Sequence, residues 1–294
     1  MRATAADGGV RCMAAVTTNL VAEAVRRHQT SHTVAAALGR TLTGALLLGV
    51  GQKEFDRLTV QIASDGPVGG ITAEADAHGR VRGYVRHPKA DTPLNSNGKL
   101  DVRAVVGEGM FYVTYESGYD IGLYREPYRG AVPILSGEIG EDFAYYLIKS
   151  EQIPSAVMLG VLLRARESGE TFIEAAGGVM IQVMPGADER TVAAIETSVS
   201  NTPQTTTLIR EGARPVDLLR AALGDVPFEA LSEQPVSFVC QCSYERAVSL
   251  ISSIERNELQ SILCEDKGAA MTCHFCNETY RLDEAALESI LSGK

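Results

Sequence analysis

Two closely spaced pairs of cysteines near the C-terminal end constrain this chain more than any other feature. The stretch FVCQCSYERAVSLI places Cys240 and Cys242 one residue apart, and CHFC places Cys273 and Cys276 further along. Four such thiols could hold a zinc ion or an iron–sulfur cluster, form permanent disulfides, or lie unpaired in a core. Structural zinc sites take four tetrahedral ligands, commonly from two tight turns that supply two each. The spacing therefore favours one zinc ion held by all four cysteines.

The expected cellular compartment of the protein helps to decide between a metal site and disulfides. The first residues, MRATAADGGVRCMAAV, contain no apolar stretch after a basic start, so they predict no secretory signal. A cytoplasmic location is therefore expected, where thiols stay reduced and six cysteines indicate metal binding or redox chemistry rather than a disulfide framework.

Charge and hydropathy exclude two classes of partner. The formal net charge of -10 argues against binding to nucleic acid, which requires a basic face. Residues 236–294 contain nine acidic and five basic side chains. The longest apolar run, residues 45–50, is far shorter than the roughly 20 residues that span a bilayer. We therefore expect neither nucleic acid nor a membrane as a partner.

Hydrophobic periodicity predicts a mixed architecture. The first ~50 residues have helical spacing, with Thr17 or Thr18 and then Ser31 as candidate caps. Residues 57–115 alternate between polar and apolar positions and contain glycine turns, which predicts an antiparallel sheet whose strands include DVRAVV at residues 101–106. A helix within residues 137–152 and two strands, residues 155–163 and 171–184, follow.

The whole pattern predicts an α+β protein in three parts. Residues 1–185 form an N-terminal domain of antiparallel sheets with packed helices. Residues 186–227 form a linker of two or three short helices with thin apolar faces, which need something to dock against. Residues 228–294 form a small C-terminal zinc-binding module.

The size of that module gives the metal its importance. At roughly 0.05 to 0.15 kcal/mol per residue, fewer than 70 residues supply only a few kcal/mol of stability. Structural zinc contributes about 10 to 16 kcal/mol in comparable small modules. The module is therefore expected to unfold when the metal leaves.

The remaining reactive side chains have simpler interpretations. His274 lies between two candidate ligands and is expected to be an exposed spectator. Cys264 is expected to be half-buried and inert, and Cys12 to lie in an N-terminal strand or loop. The acids Glu138, Glu141 and Asp142 form the first turn of a helix, which needs no catalytic explanation.

No enzyme motif stands out against this background. The chain contains no Walker loop, G-x-S-x-G elbow or H-E-x-x-H helix. A catalytic zinc keeps an open coordination position, and four cysteine ligands leave none. We therefore predict that the protein is not an enzyme and has no catalytic residues.

With these residues in view, the chain resembles the heat shock protein 33 family, the redox-regulated holdase chaperones of bacteria. FVCQCSYERAVSLI and CHFCNETYRLDE resemble its zinc switch. AALGRTLTGALLL, SDGPVGGI, SGEIGEDFAYYLIKSEQIPSAVMLGVLL and AAGGVMIQVMPGA resemble its N-terminal domain, in the same order. The likeness covers essentially the full chain.

The resemblance implies a mechanism. The family's zinc ligands fall on Cys240, Cys242, Cys273 and Cys276. Oxidants are expected to form the disulfides Cys240–Cys242 and Cys273–Cys276, after which zinc leaves, the module and linker unfold, and a homodimer binds unfolding client proteins without ATP. Such a chaperone protects against oxidative and heat stress.

The sequence alone does not decide which residues bind clients, or between redox gating and one alternative function. The candidate client-binding residues are apolar positions of the linker, for each of which core packing is the simpler explanation: Leu208, Ile209, Leu218, Leu219 and Leu223. The alternative function is a constitutive zinc ribbon that binds a protein without redox gating. Peroxide would separate the two, because a constitutive ribbon loses function when its zinc is released.

Overall fold

The computed structural model of the protein describes residues 1–51, 57–117, 126–167 and 171–293. It divides into two compact units, Met1–Val239 and Cys240–Lys294. The division falls later than the expected start of the C-terminal module at residue 228. The strand Phe228–Ser232 pairs with Arg2–Ala5 and so belongs to the first unit.

Two sheets form the framework of the first unit. The strands of the first sheet are β1 (Arg2–Ala5), β2 (Val10–Val16), β8 (Ser155–Ala165), β9 (Thr171–Val183) and β10 (Phe228–Ser232). Those of the second are β3 (Arg57–Ser64), β4 (Ile71–Ala75), β5 (Arg80–Val85), β6 (Gly109–Glu116), β7 (Tyr128–Pro133) and β11 (Ser237–Phe238). The first sheet has the order β10-β1-β2-β9-β8 and the second β11-β5-β4-β3-β6-β7. Among the described strands of these sheets, every pairing is antiparallel except that of β11 with β5, which confirms the predicted α+β class.

Seven α-helices are described in the first unit. They are α1 (Thr18–His28), α2 (His32–Gly51), α3 (Val102–Val106), α4 (Gly140–Lys149), α5 (Glu189–Asn201), α6 (Thr205–Arg210) and α7 (Pro215–Leu223). The last three confirm the short helices expected in the linker.

The central helix α2 packs against strands of both sheets. By length and composition it could cross a membrane, contrary to the expectation that no segment comes near that length. However, 94% of its apolar 18-residue stretch is buried inside the protein. It is thus the core helix of the unit. Its side chains form the main hydrophobic cluster with the inner faces of the sheets, which include Phe111 of β6, and with Phe143 of α4.

Two expectations about local structure are wrong. The first ~50 residues are not all helical, because β1 and β2 precede α1. Residues 101–106 are not a strand: Val102, Val105 and Val106 are buried at helical spacing, and the Asp101 carboxylate accepts a hydrogen bond from the Ala104 N–H at 2.9 Å. This cap and the i, i+3, i+4 pattern outweigh the β preference of valine.

The linker helices cover the face of the first sheet that α2 does not occupy. α6 packs on β8 and β9, while α7 packs on β2 and β9. The shared cluster includes Cys12 and Val179 from the sheet and Ile195, Leu219 and Leu223 from the helices. The strands β2 and β9 of the first sheet are therefore covered on both faces.

The second unit is a small α+β module. It contains α8 (Tyr244–Ser252), α9 (Arg256–Asp266), β12 (Gly268–Thr272), β13 (Thr279–Asp283) and α10 (Glu284–Ser292). β12 and β13 form an antiparallel hairpin. The buried members of its hydrophobic cluster are Ile251, Leu259, Leu282, Leu287 and Leu291. Five such side chains are a thin core for a folded module.

Candidate metal centre

The CHFC motif forms the tight loop of the β12–β13 hairpin. The Cys273 N–H donates to the Glu278 carbonyl, and the Asn277 N–H donates to the Cys273 carbonyl, both at 2.8 Å. Asn277 closes the loop with φ 59°, a left-handed conformation that asparagine tolerates better than most residues. These bonds fix Cys273 and Cys276 close together at one end of the hairpin.

Cys240 and Cys242 lie on a non-regular segment that ends at α8. Ser243 caps that helix, since its Oγ accepts a hydrogen bond from the Arg246 N–H at 3.2 Å. The Arg246 guanidinium in turn donates to the Gln241 carbonyl at 2.8 Å. The start of α8 thus holds the backbone between the two cysteines.

The two motifs meet. The four Sγ atoms of Cys240, Cys242, Cys273 and Cys276 all lie within 4.8 Å of one another. Cys240 Sγ is 3.7 Å from Cys273 Sγ, and Cys242 Sγ is 3.3 Å from Cys276 Sγ. A tetrahedron with metal–sulfur bonds of about 2.3 Å has sulfur–sulfur edges of about 3.8 Å. The cluster therefore has the dimensions of a four-thiolate metal site, and it is the one potential metal-binding group of three or more side chains in the described parts of the chain.

Without a metal, the environment favours neutral thiols. Burial raises the pKa of the Cys273 thiol, an effect opposed by the backbone N–H groups of Cys276 and Phe275. Burial likewise raises the pKa of the Cys276 thiol, opposed by the Glu278 N–H. A bound cation reverses this balance because it stabilises thiolates directly.

One contact of the cluster was not expected from the sequence. The Tyr280 hydroxyl on β13 donates a hydrogen bond to Cys242 Sγ at 3.2 Å. That bond is the largest influence raising the pKa of the Tyr280 phenol. The Cys-x-x-Cys spacing gives no signal for it, because the donor and the acceptor lie on different motifs.

The other two cysteines are not members of the cluster. Cys12 is on β2 and fully buried, and burial raises its pKa to about 12. Cys264 is exposed on α9, so the expectation that it is half-buried is wrong. Its position on an otherwise polar face explains the exposure. His274 is exposed, as expected for a spectator.

The acids at the start of α4 are used by the fold. The buried Asp142 carboxylate accepts hydrogen bonds from the backbone N–H groups of Leu135, Ser136 and Ile139 at 2.8 to 3.0 Å. Glu138 pairs with Arg40 at 2.7 Å. These partners account for both carboxylates without a catalytic role.

The candidate client-binding residues all belong to the cluster between the linker helices and the first sheet. Leu218, Leu219 and Leu223 are at most 1% exposed, and Ile209 is 9% exposed. Leu208 is half-buried at its edge. Their apolar side chains are covered in this state.

Together these features define a class: an α+β protein with a terminal module organised around four cysteines suited to zinc binding and redox control. The family model described as "Hsp33 protein" matches residues 1–283. The chain belongs to the Hsp33 family.

Individual relatives agree with this assignment. The chain is 46% identical to the "33 kDa chaperonin" of Bacillus licheniformis, covering 99% of this chain and 97% of that protein. It is 45% identical to the "33 kDa chaperonin" of Geobacillus kaustophilus, covering 99% and 96%. The crystal structure of the 33 kDa chaperonin (heat shock protein 33 homolog) from Thermotoga maritima matches with a TM-score of 0.88 and 32% identity, covering 99% and 97%. The relatives are thus named for chaperone action, which is a non-enzymatic function.

Proposed function

We propose that the protein is a redox-gated holdase: reduced and zinc-bound it is inactive, and oxidised and zinc-free it binds unfolding client proteins without ATP. The single observation that carries the proposal is the meeting of four thiols within 4.8 Å in a unit with a thin hydrophobic core.

One zinc ion per chain, held by Cys240, Cys242, Cys273 and Cys276, suits this donor set. When bound, zinc supplies a tetrahedral cross-link between the hairpin loop and the segment before α8. With this thin core, a unit of this size has a net stability of only a few kcal/mol by itself, well below the about 10 to 16 kcal/mol of structural zinc. The second unit is therefore folded only as long as its four thiolates are held together.

Oxidation removes the ligands. Each pair of thiols and one molecule of peroxide yield one disulfide and two molecules of water, since the two sulfurs lose two electrons to the O–O bond. We assign the disulfides to Cys240–Cys242 and Cys273–Cys276, following the family resemblance. Neither bridge closes a long loop, so neither restrains the released chain. The small Cys-x-Cys ring is strained, which favours ready reduction and a reversible switch.

Chain continuity carries the change into the first unit. The segment before Cys240 is the two-residue strand β11 at the edge of the second sheet, followed by a hydrogen bond from the Val239 N–H to the Val81 carbonyl at 2.9 Å. Before it, β10 pairs only at the edge of the first sheet. These short edge strands are the links between the cysteine module and α7, and few bonds hold them once the module unfolds.

Release of the linker uncovers apolar surface. α6 and α7 cover the outer face of β2 and β9, which is lined by alanine, valine and isoleucine, and α5 packs on α7. An apolar patch of this kind on a monomer is a site for protein binding. We place client contacts on this surface and on the linker side chains that leave it, namely Leu208, Ile209, Leu218, Leu219 and Leu223.

The chemistry of the thiols and the charge of the module also bear on the compartment and the partners of the protein. A cytoplasmic location keeps the thiols reduced until an oxidant arrives, and the family resemblance supports a homodimer as the oxidised form. The acidic balance of residues 236–294 disfavours nucleic acid as a partner. Oxidative and heat stress produce both the trigger and the unfolding clients.

The competing function is a constitutive zinc ribbon. The reduced, zinc-loaded protein is treated with peroxide under mild heat while zinc release and suppression of client aggregation are followed together. The holdase gains suppression as zinc appears in solution. A constitutive ribbon loses its binding instead, and that result would overturn the proposal.

A further inference from the structure

Tyr280 joins the two cysteine motifs through a single hydrogen bond. It lies on β13, paired with Met271 of β12, four residues after Cys276. Its hydroxyl reaches Cys242 Sγ, on the other motif, at 3.2 Å. The phenol therefore belongs to the hairpin that carries Cys273 and Cys276, while the sulfur that it contacts is supplied by the segment before α8.

The two sulfurs of the hairpin receive their hydrogen bonds from the backbone. The N–H groups of Phe275 and Cys276 donate to the Cys273 sulfur, and the Glu278 N–H donates to the Cys276 sulfur. These donors come from the loop itself and form whenever the hairpin turns. The donor to Cys242 comes from a side chain 38 residues away, so it forms only when the two motifs are assembled.

We infer that Tyr280 is a positioning residue of the metal centre, which orients Cys242 toward the shared site and withdraws charge from its thiolate. This inference rests on the proposed zinc site. Hydrogen bonds to metal ligands fix their orientation, and their loss costs about 10- to 100-fold in metal affinity. A donor to a thiolate is charge-assisted, which makes it stronger than a bond between neutral groups.

The test uses the full-length chain with Tyr280→Phe, which removes the hydroxyl and keeps the ring. Tyr244→Phe is the matched control, because Tyr244 lies in the same unit and its side chain is exposed. Zinc affinity is measured by competition with a chelating dye in the reduced proteins. We expect about 10- to 100-fold weaker binding for Tyr280→Phe and unchanged binding for Tyr244→Phe.

A spectroscopic measurement separates positioning from packing. With Co²⁺ in place of zinc, the thiolate-to-metal charge-transfer absorption reports the electron density on sulfur. Loss of the hydrogen bond raises the energy of the sulfur lone pair, so the band of Tyr280→Phe moves to longer wavelength while the tetrahedral ligand-field bands remain. A purely structural tyrosine would leave the band in place.

The outcomes distinguish this inference from the proposed function. If the wild-type chain binds no metal through its four thiolates, the proposed function fails. If the wild type binds zinc and Tyr280→Phe matches it in both affinity and band position, only the positioning role is overturned. Far-ultraviolet circular dichroism of the metal-loaded variant confirms that the module is folded in either case.

Discussion

Thr206 of α6 lies directly over Gly160 of β8, with its Cγ2 atom 2.6 Å from the position that a Cβ atom at residue 160 would occupy. Gly160 pairs with Gly177 of β9, over which Ile209 of the same helix lies in the same way. This cross-strand pair of glycines forms a shallow seat for α6. The absence of two side chains is therefore what lets the linker dock closely on the sheet.

Gly160→Ala is predicted to loosen the linker without any oxidant. The new methyl group meets the Thr206 side chain, and overpacking of this kind costs about 1–3 kcal/mol. The reduced, zinc-bound variant should suppress client aggregation above the wild-type level. Light scattering of a heat-unfolding client measures the effect.

A second substitution, on the other side of the same contact, provides the control for that variant. Thr206→Ser removes the Cγ2 atom that the new methyl group meets, so suppression of aggregation by the reduced double variant should return to the level of the reduced wild type. Equal activity in the single and double variants would show that the contact between α6 and β8 does not govern activation.

Cys12 offers a chemical report on linker release. It is fully buried beneath the linker helices, and burial raises its pKa to about 12. Compared with an ordinary cysteine, the thiolate fraction at neutral pH is lower by about a thousandfold. Maleimide labelling of Cys12 should therefore be very slow in the reduced protein and should accelerate strongly after peroxide treatment and zinc release.

Cys264 serves as the internal reference for this labelling. It is exposed on α9 and should label in the reduced state from the start. Peptide mass spectrometry follows both sites in one sample. A Cys12 that stays protected while the protein suppresses aggregation would mean that the linker does not leave the sheet.

Cys273→Ser should weaken zinc binding and leave residues 240–293 partly unfolded even under reducing conditions. Loss of a direct ligand should cost more than the about 10- to 100-fold associated with an outer hydrogen-bond partner. Chelator competition and circular dichroism measure the two effects. Cys264→Ser, which removes a thiol outside the cluster, should match the wild type, and a zinc-tight, folded Cys273→Ser would refute the four-ligand assignment.

Disulfide pairing can be read from tryptic peptides. Cleavage after Arg220, Arg246 and Lys267 places Cys240 and Cys242 in one peptide and Cys273 and Cys276 in another. Oxidation within each pair should leave both peptides unlinked and lighter by two hydrogens each. Linked peptides would show pairing across the motifs, which the distances of 3.7 Å and 3.3 Å in the reduced state also permit.

Sequence patterns predicted those helices and strands that have one buried face and one solvent-exposed face. β3 alternates strictly because one side of it faces solvent, and the linker helices are recognisable from their thin apolar stripes. β2 reads VRCMAAV without alternation, because α2 covers one of its faces and α7 the other. A short strand buried on both faces cannot be told from a helix by periodicity, which explains the error at the N-terminus.

The metal centre was predictable to the same limit. Local spacing identified the four cysteines of the candidate metal centre, since each motif contributes two thiols by itself. The hydrogen bond from Tyr280 to Cys242 depends on how the motifs assemble, and no local pattern encodes it. The same holds for the seat formed by Gly160 and Gly177, where the signal is an absent side chain.

Hydrogen exchange of the reduced protein before and after chelation shows whether the metal is the scaffold of residues 240–293. We predict that removal of the metal abolishes amide protection throughout α8, α9, the β12–β13 hairpin and α10, while α2 and the strands around it keep theirs. Equal protection in residues 240–293 with and without the metal would mean that the metal is not their scaffold.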